Sequence, residues 1–542
     1  PGHGAHSSSD WHAPTRPWIL LIILPVAGLI VGWMVQTFAP EAEGHGTDAV
    51  IHAVHRERSL IRKRVPAVKL LASILTIGSG GSAGREGPVA QVGAGFGSYL
   101  ARLLSLSPKD RRLMVIAGVA AGIGGMFRAP LGGALFAIEV LYSENEFESE
   151  ALIPSIIASI VAYVVNASFT GWGHIFKAPP VTFNHPLELG GYLALGIVLS
   201  LVAIVYVKVF YGMRDLVFHP MPVPAWVKPG IGGLLLAILA MGVPQVMGGG
   251  YGWLQLTMDH NLPFKLLLLL LPAKILATAF TISSGGSGGV FAPSLIIGGI
   301  TGAVFAELFS RVAPSMTPPH AACVLVGMGA FFAGAAKVPI ASLIMVAEMS
   351  GSYNLLVPLM FASSVSFLLT RGVSIYEEQV PGRIDSPAHL GEFQVDVLEQ
   401  LRVSDVLDPT AEVISVVPGT PFLKVLELAS EHGQDVFPVV DTEGRMVSMF
   451  SMNDVRRVVA TPEVWSVLVA DDLGNQARSQ VHLDPDDDLH TALRRFMAAQ
   501  VNVLPVLEGP PPARLLGLLS HHQVMDAYDR AMRRFQAGPE EE

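Results

Sequence analysis

The sequence predicts an all-α polytopic membrane protein, an inverted repeat with broken helices, followed by a soluble pair of small α/β units. Three observations carry that prediction: a composition too apolar for water, two matching interruptions of the apolar region, and a second, shorter repeat in the polar C-terminal part. Of the 542 residues, 51% are hydrophobic and 15% charged, with a mean hydropathy of +0.49, so most of the chain belongs in lipid. The 55 glycines and 39 prolines suit membrane helices that break, because neighbouring helices and cavities re-satisfy the freed backbone groups. A formal charge of -10 without basic clusters argues against a nucleic-acid partner. The single cysteine, Cys323, excludes an internal disulfide or multi-cysteine metal site and reads as a small packed residue.

Residues 1–16 read as a loop, since no apolar core follows a basic start there. His3, His6 and His12, with Asp10 as the one nearby carboxylate, do not make a metal site. The apolar stretch Trp18 to Phe38 is long enough to span a bilayer, and others follow at about 66–104, 113–142, 151–166, 188–211, 227–247, 263–282, 290–311, 321–347 and 354–370. The membrane region is expected over 17–380, in halves of about 17–185 and 186–380. After Tyr376 the density of charge rises sharply, with a linker expected over 381–400.

Two glycine-rich segments, Gly78 to Pro88 and Ser283 to Pro293, interrupt apolar runs where a continuous helix should not carry them. Each is followed by a helix that runs from a proline to a glutamate, Pro130 to Glu139 and Pro339 to Glu348, nine positions in both cases. Interrupted segments at corresponding places in two halves point to an inverted-repeat transporter with its site near the midplane. Glycines let amide N–H groups at the start of the next helix converge on one small space, and helix N-termini carry partial positive charge. Such a space attracts anions without placing a full charge in lipid, and it binds weakly enough for conduction.

The C-terminal part repeats as well. Asp435 to Val459 and Asn502 to Tyr528 each read as strand, turn, strand, helix, preceded by polar-capped amphipathic helices from Thr420 and from Asp487. Units are expected at 401–460 and 466–530, with a tail at 531–542.

Together, Gly84-Arg-Glu-Gly-Pro88, Gly289-Val-Phe-Ala-Pro293, the two proline-to-glutamate helices and Tyr376 near the end of the last membrane helix resemble the CLC family of chloride channels and proton-coupled chloride exchangers. The C-terminal repeat resembles the paired CBS domains that many members carry. The resemblance implies a multi-pass cell-membrane protein, a homodimer with one pore per subunit, chloride as the transported ion, no required cofactor, no catalytic or metal site, and cytoplasmic CBS domains. The basic run at Arg56, Arg58, Arg62, Lys63 and Arg64 is then expected on the cytoplasmic side. It further implies that Glu86 gates the outer anion site, with amides around Gly84, Arg85, Gly87, Val290, Phe291 and Ala292 forming the cradle and Tyr376 offering its hydroxyl to the central site. A carboxylate among inward-pointing amides competes with an anion when ionised and swings away when protonated, which links opening to pH. Relatives have one more helix before the segment beginning near Pro17, so the resemblance implies a longer natural chain.

Two positions depart from the family pattern. His45 stands where a serine hydroxyl or another small residue usually faces the central anion, and an imidazole can donate one hydrogen bond or, protonated, add charge. Val140 stands where exchangers commonly carry a glutamate on the inner side. Valine cannot relay a proton, which inclines the sequence reading towards a passive pH- or voltage-gated chloride channel, with an H+/Cl- exchange transporter (antiporter) as the alternative. Glu139 beside it is expected to anchor a helix end. CBS pairs in the family often bind adenine nucleotides (ATP, ADP or AMP), and Ser451-Met-Asn-Asp454 fits the ribose-binding pattern, whereas Ser520-His-His-Gln523 in the second unit lacks the carboxylate. A CBS-bearing magnesium transporter is disfavoured because cation sites need inward carboxylates. An enzyme lacks any grouped nucleophile and base.

Overall fold

The structure, a computed structural model, describes residues 16–183, 185–389, 397–408, 411–474, 481–509 and 513–537; His3, His6, Asp10 and His12 lie outside them. The chain forms two compact units that divide at Ala388 and His389.

In the first unit, six helices among the described residues are long and apolar enough to cross a membrane, including Pro17–Phe38, Glu188–Phe218 and Phe291–Val312. The stretch expected at 66–104 is two helices, Val65–Gly78 and Glu86–Leu103, separated by the first glycine break. The stretch at 113–142 is also two, Pro108–Phe127 and Pro130–Glu139. The helix before each proline ends on a residue in the left-handed region, Arg128 (φ 52) in the first half and Lys337 (φ 62) in the second. The proline that follows has no N–H to continue the ladder.

The two halves repeat at the level of contacts as well as sequence. A Cβ on Gly93 would lie 2.1 Å from the Gly118 carbonyl oxygen, and one on Gly298 would lie 2.3 Å from that of Gly327. Only glycine permits these paired helices to approach so closely. The glutamates ending the proline-led helices then cross over. Glu139 accepts from the N–H groups of Ile340 (3.0 Å) and Ala341 (2.6 Å), and Glu348 accepts from Leu131 (3.3 Å) and Gly132 (2.8 Å). Each carboxylate thus satisfies the free amides that open the other half's helix. Ile153, Ile157 and Phe169 on the helix Leu152–Thr170 are exposed in the chain alone, as expected of side chains that face lipid.

The expected linker at 381–400 is partly core. Arg383 N–H donates to Glu146, Ser386 Oγ pairs with His55 Nδ1 at 2.7 Å, and the Ala388 carbonyl accepts from Arg112 at 3.0 Å. The charge density that marked a linker therefore marks paired side chains at the edge of the membrane unit.

In the second unit, the strands Val436–Val440 and Met446–Ser451 pair antiparallel, as do Val503–Glu508 and Arg514–Ser520, and a helix follows each pair, Met452–Val459 and His521–Ala537. The segment around Leu398 and Val403 packs into the core of the second repeat, with Leu489, Phe496 and Leu504. Ala470 and Leu473 pack into the first, with Phe422 and Phe437. The units expected at 401–460 and 466–530 therefore exchange their first segments, because each hydrophobic core is completed by the chain preceding the other repeat. Asp488 caps the helix Leu489–Ala499 by accepting from Thr491 N–H at 2.6 Å. The helix Phe422–Glu431 has Pro421, not a polar residue, at its cap.

Candidate functional site

Three irregular segments meet in the first unit: the loop before the helix Thr47–Arg56 and the two glycine breaks. Gly84 and Gly289 exchange both backbone hydrogen bonds, at 2.7 and 2.6 Å, while Gly44 N–H donates to Gly286 O at 3.1 Å and Gly44 O accepts from Gly288 N–H at 3.2 Å. Serines and threonines tie the breaks further, with Ser82 N–H donating to Thr281 Oγ1 at 3.0 Å and Ser287 Oγ to Ala42 O at 2.9 Å. The Gly84–Gly289 exchange brings the first residues of the helices Glu86–Leu103 and Phe291–Val312 to the same place.

Glu86 opens the first of these helices and is 1% exposed. Its Oε1 accepts from the Tyr251 hydroxyl, whereas Oε2 has no hydrogen-bond partner among the described residues. A Cβ on Gly84 would lie 1.7 Å from Oε2 and one on Gly289 3.0 Å away, so the carboxylate fills the space those glycines leave open. A Cβ on Gly87 would lie 1.9 Å from the His45 carbonyl oxygen. Arg85 does not pair with Glu86; its guanidinium lies 5.8 Å from the centre of the Tyr251 ring. Val290 caps the second helix, and Phe291 and Ala292 open it, all buried. The Phe291 ring packs on Phe332 and Phe127 at 4.3 and 4.6 Å.

On the other side of the breaks, His45 and Tyr376 face each other with ring centres 5.4 Å apart, and both are buried. Tyr376 lies beyond the end of the helix Leu356–Leu369, in irregular chain. Its burial excludes packing against lipid headgroups. His45 Nε2 lies 3.1 Å from Asp48 Oδ2, and Nδ1 is buried without a partner. A cavity of about 400 Å³ is lined by His45, Asp48, Phe210, Arg214, His219 and Lys228. A second, of about 830 Å³, is lined by Tyr376, Gln379, Glu144, Glu146, Lys337 and Arg371. The His45–Tyr376 pair therefore stands between two cavities. Val140 is buried, and its carbonyl accepts from the Gln379 side chain at 2.9 Å, so an amide occupies the surroundings in which a carboxyl was sought.

Sequence reasoning missed Tyr251, Asp48 and a pair of buried lysines. Lys69 donates to Ala42 O and Gly44 O at 3.0 and 2.7 Å, and Lys274 donates to Val246 O and Gly248 O, both at 2.8 Å. The signal was present: Gly44-His-Gly-Thr-Asp48 and Gly248-Gly-Gly-Tyr-Gly252 are the same loop in the two halves, each with two glycines at positive φ. Aligning them places Tyr251 opposite Thr47.

Residues 27–371 match the family described as voltage gated chloride channel. The chain belongs to that family. A CBS domain matches residues 403–461. The CLC relatives include an H(+)/Cl(-) exchange transporter, ClcA, of Cronobacter sakazakii, 30% identical over 366 residues that cover 66% of this chain and 78% of that protein. Among solved structures, a CLC-type fluoride/proton antiporter is similar with TM-score 0.60 and 26% identity, covering 67% of this chain and 88% of that one. A eukaryotic CLC transporter shares the fold over 94% of this chain and 91% of its own, with TM-score 0.56 and 18% identity. As a CLC protein the chain transports anions across a membrane and is not an enzyme.

In the C-terminal unit, Asp454 Oδ2 accepts from Ser451 N–H at 2.9 Å and Ser451 Oγ at 2.6 Å. Gln523 makes the same two bonds to Ser520, at 2.8 and 2.9 Å. The pattern that suggested a ribose acceptor is thus also a helix cap, and glutamine serves the cap as well as aspartate does. Asp441 sits in the turn between the first pair of strands, where the Arg445 N–H and guanidinium and the Glu443 N–H hold its carboxyl below the usual carboxylate range.

Proposed function

We propose that this CLC chain exchanges chloride for protons across a cell membrane, with Glu86 as the group that alternates between blocking the anion path and carrying a proton. The observation that carries the reading is the Glu86 Oε2 atom, buried without a partner between Gly84 and Gly289 where the breaks cross. An anion entering that space must displace the carboxylate, and protonation removes the charge that competes with it. The amides around Gly84, Arg85, Gly87, Val290, Phe291 and Ala292 would line the space the carboxylate vacates, and His45 and Tyr376 would flank the inner anion position. The names of relatives as H(+)/Cl(-) exchange transporters support exchange. Val140 favours the second reading, a passive pH- or voltage-gated chloride channel.

In lipid vesicles holding the purified full chain, an outward chloride gradient should drive protons inward against their own gradient. A proton signal that only dissipates, with chloride flux intact, would return the protein to the channel reading. The proposal extends to a homodimer with one pathway per subunit and to CBS units on the cytoplasmic side. For an adenine nucleotide, Asp454 is the available ribose acceptor, and the capping role it shares with Gln523 weighs against a strong site.

A further inference from the structure

Among the described residues, His45 and Asp48 form the chargeable pair beside Tyr376, and their close approach favours one tautomer of the ring. His45 Nε2 lies 3.1 Å from Asp48 Oδ2, and a carboxylate oxygen only accepts, so this approach favours the tautomer with hydrogen on Nε2, in which two lone pairs do not face each other. In the neutral ring Nδ1 is then a lone-pair acceptor. That atom is buried, has no partner, and belongs to a ring set between Tyr376 at 5.4 Å and Phe210 at 6.3 Å. An acceptor cannot hold chloride; a protonated Nδ1 can, by N–H donation and by charge.

We propose that the inner anion position binds a proton and its anion together, with His45 Nδ1 as the proton acceptor and Asp48 as the positioning residue that keeps Nε2 protonated. This rests on the reading of the His45–Tyr376 gap as an anion position. The balance is simple: one proton from the aqueous cavity forms the Nδ1–H bond, the imidazolium donates to the chloride as its partner, and the proton leaves Nδ1 when the anion departs. Asp48 is itself oriented by the N–H groups of Glu377 and Glu378, both at 3.3 Å, and lines the cavity that reaches His45.

The charged groups around the ring leave this role to it. Lys69, from the neighbouring helix, points its ammonium at Ala42 O and Gly44 O. Glu43 accepts from Gln36, and Arg214 pairs with Glu377 and Asp215. Tyr376, Tyr206 and Tyr211 are neutral phenols at physiological pH. His219 and Lys228 line the same cavity, and Glu86 faces Tyr251. The dyad supplies an inner proton-loading group in a chain whose position 140 has none.

The test is calorimetric titration of chloride into the full chain carrying Glu86→Gln, which removes the other titrating carboxylate of the path. It is run in two buffers of different ionisation enthalpy across pH 6 to 8.5. The expected result is uptake approaching one proton per chloride, and affinity falling by up to about tenfold per pH unit as pH rises. Adding His45→Ser, which keeps a hydroxyl donor, should leave chloride binding with no proton uptake and a flat pH profile. Asp48→Asn should shift the profile while the protein remains monodisperse on gel filtration, which guards against a folding defect. Chloride binding without proton uptake in the Glu86→Gln parent would overturn the inference while sparing the anion position. Proton uptake that survives His45→Ser would overturn it as well. A parent that binds no chloride would overturn both the inference and the functional reading beneath it.

Discussion

The two halves of the membrane unit share their scaffold and differ at their chemistry. Lys69 and Lys274 hold equivalent loop carbonyls, Gly93–Gly118 and Gly298–Gly327 make equivalent close approaches, and Glu139 and Glu348 cap each other's partner helices. At the breaks the correspondence ends. Glu86 in the first half stands opposite Phe291 in the second, His45 opposite Gly249, and Thr47 opposite Tyr251. A repeat alone produces a symmetric cradle of amides with no preferred occupant. The departures from symmetry make one end of the path titratable, and the second half supplies the hydroxyl, Tyr251, that holds the first half's carboxylate.

The largest effect should come from removing the asymmetric carboxylate. Glu86→Gln should remove the pH dependence of chloride flux that the carboxylate sets, up to about tenfold per pH unit in the parent, and leave only what His45 contributes; Phe291→Leu, its counterpart, should retain the full pH dependence. Chloride efflux from vesicles between pH 4.5 and 7.5 reads both variants. The dependence that survives in Glu86→Gln should vanish when His45→Ser is added, and its persistence there would point to a third titrating group.

The symmetric positions should behave alike. Glu139→Ala and Glu348→Ala each strand two backbone amides, which costs about 2–4 kcal/mol. Thermal unfolding in detergent should show comparable losses, and a large loss from Glu139 alone would mean that it has a duty its counterpart lacks.

Tyr251→Phe sharpens the comparison from the other half. It removes a hydrogen bond to a charged group, worth about 1.5–3 kcal/mol, without changing shape. The ionised carboxylate then loses its donor, so flux should rise at less acidic pH than in the parent. An unchanged pH profile would make the hydroxyl contact incidental.

The smallest effect belongs outside the membrane. Asp441 has its carboxyl lowered in the folded state by Arg445 and Glu443. Its contribution is present above the ordinary carboxylate range and is lost as pH falls through the lowered value. Asp441→Asn should flatten that acid-side loss in the CBS repeat, read by limited proteolysis of the full chain.

Much of this was legible in the sequence, and the reason is physical. Glycine-rich breaks, prolines that stop helices and glutamates that end them are local devices, so the two breaks and the helix-capping duty of Glu139 followed from residue type and spacing, whereas Glu86 and the cradle residues were implied by the resemblance to the CLC family. What escaped depended on partners far along the chain. Tyr251 is 165 positions from Glu86, and nothing in its local sequence marks a donor to a distant carboxylate. Asp48 lies in the first turn of the helix Thr47–Arg56, where an acidic residue is ordinary, and nothing local marks its approach to His45. In the C-terminal unit the repeats were plain, but the exchange of the segments around Val403 and Ala470 between the two cores was hidden, since burial does not say which core a residue joins.

The most direct test of the central claim is the zero-current voltage of reconstituted protein under a fixed chloride gradient, with and without a superimposed pH gradient. Exchange through Glu86 predicts that the pH gradient moves this voltage away from the chloride potential, and that Glu86→Gln returns it there. A voltage that follows chloride alone in the unaltered protein, at every pH gradient, would contradict the account.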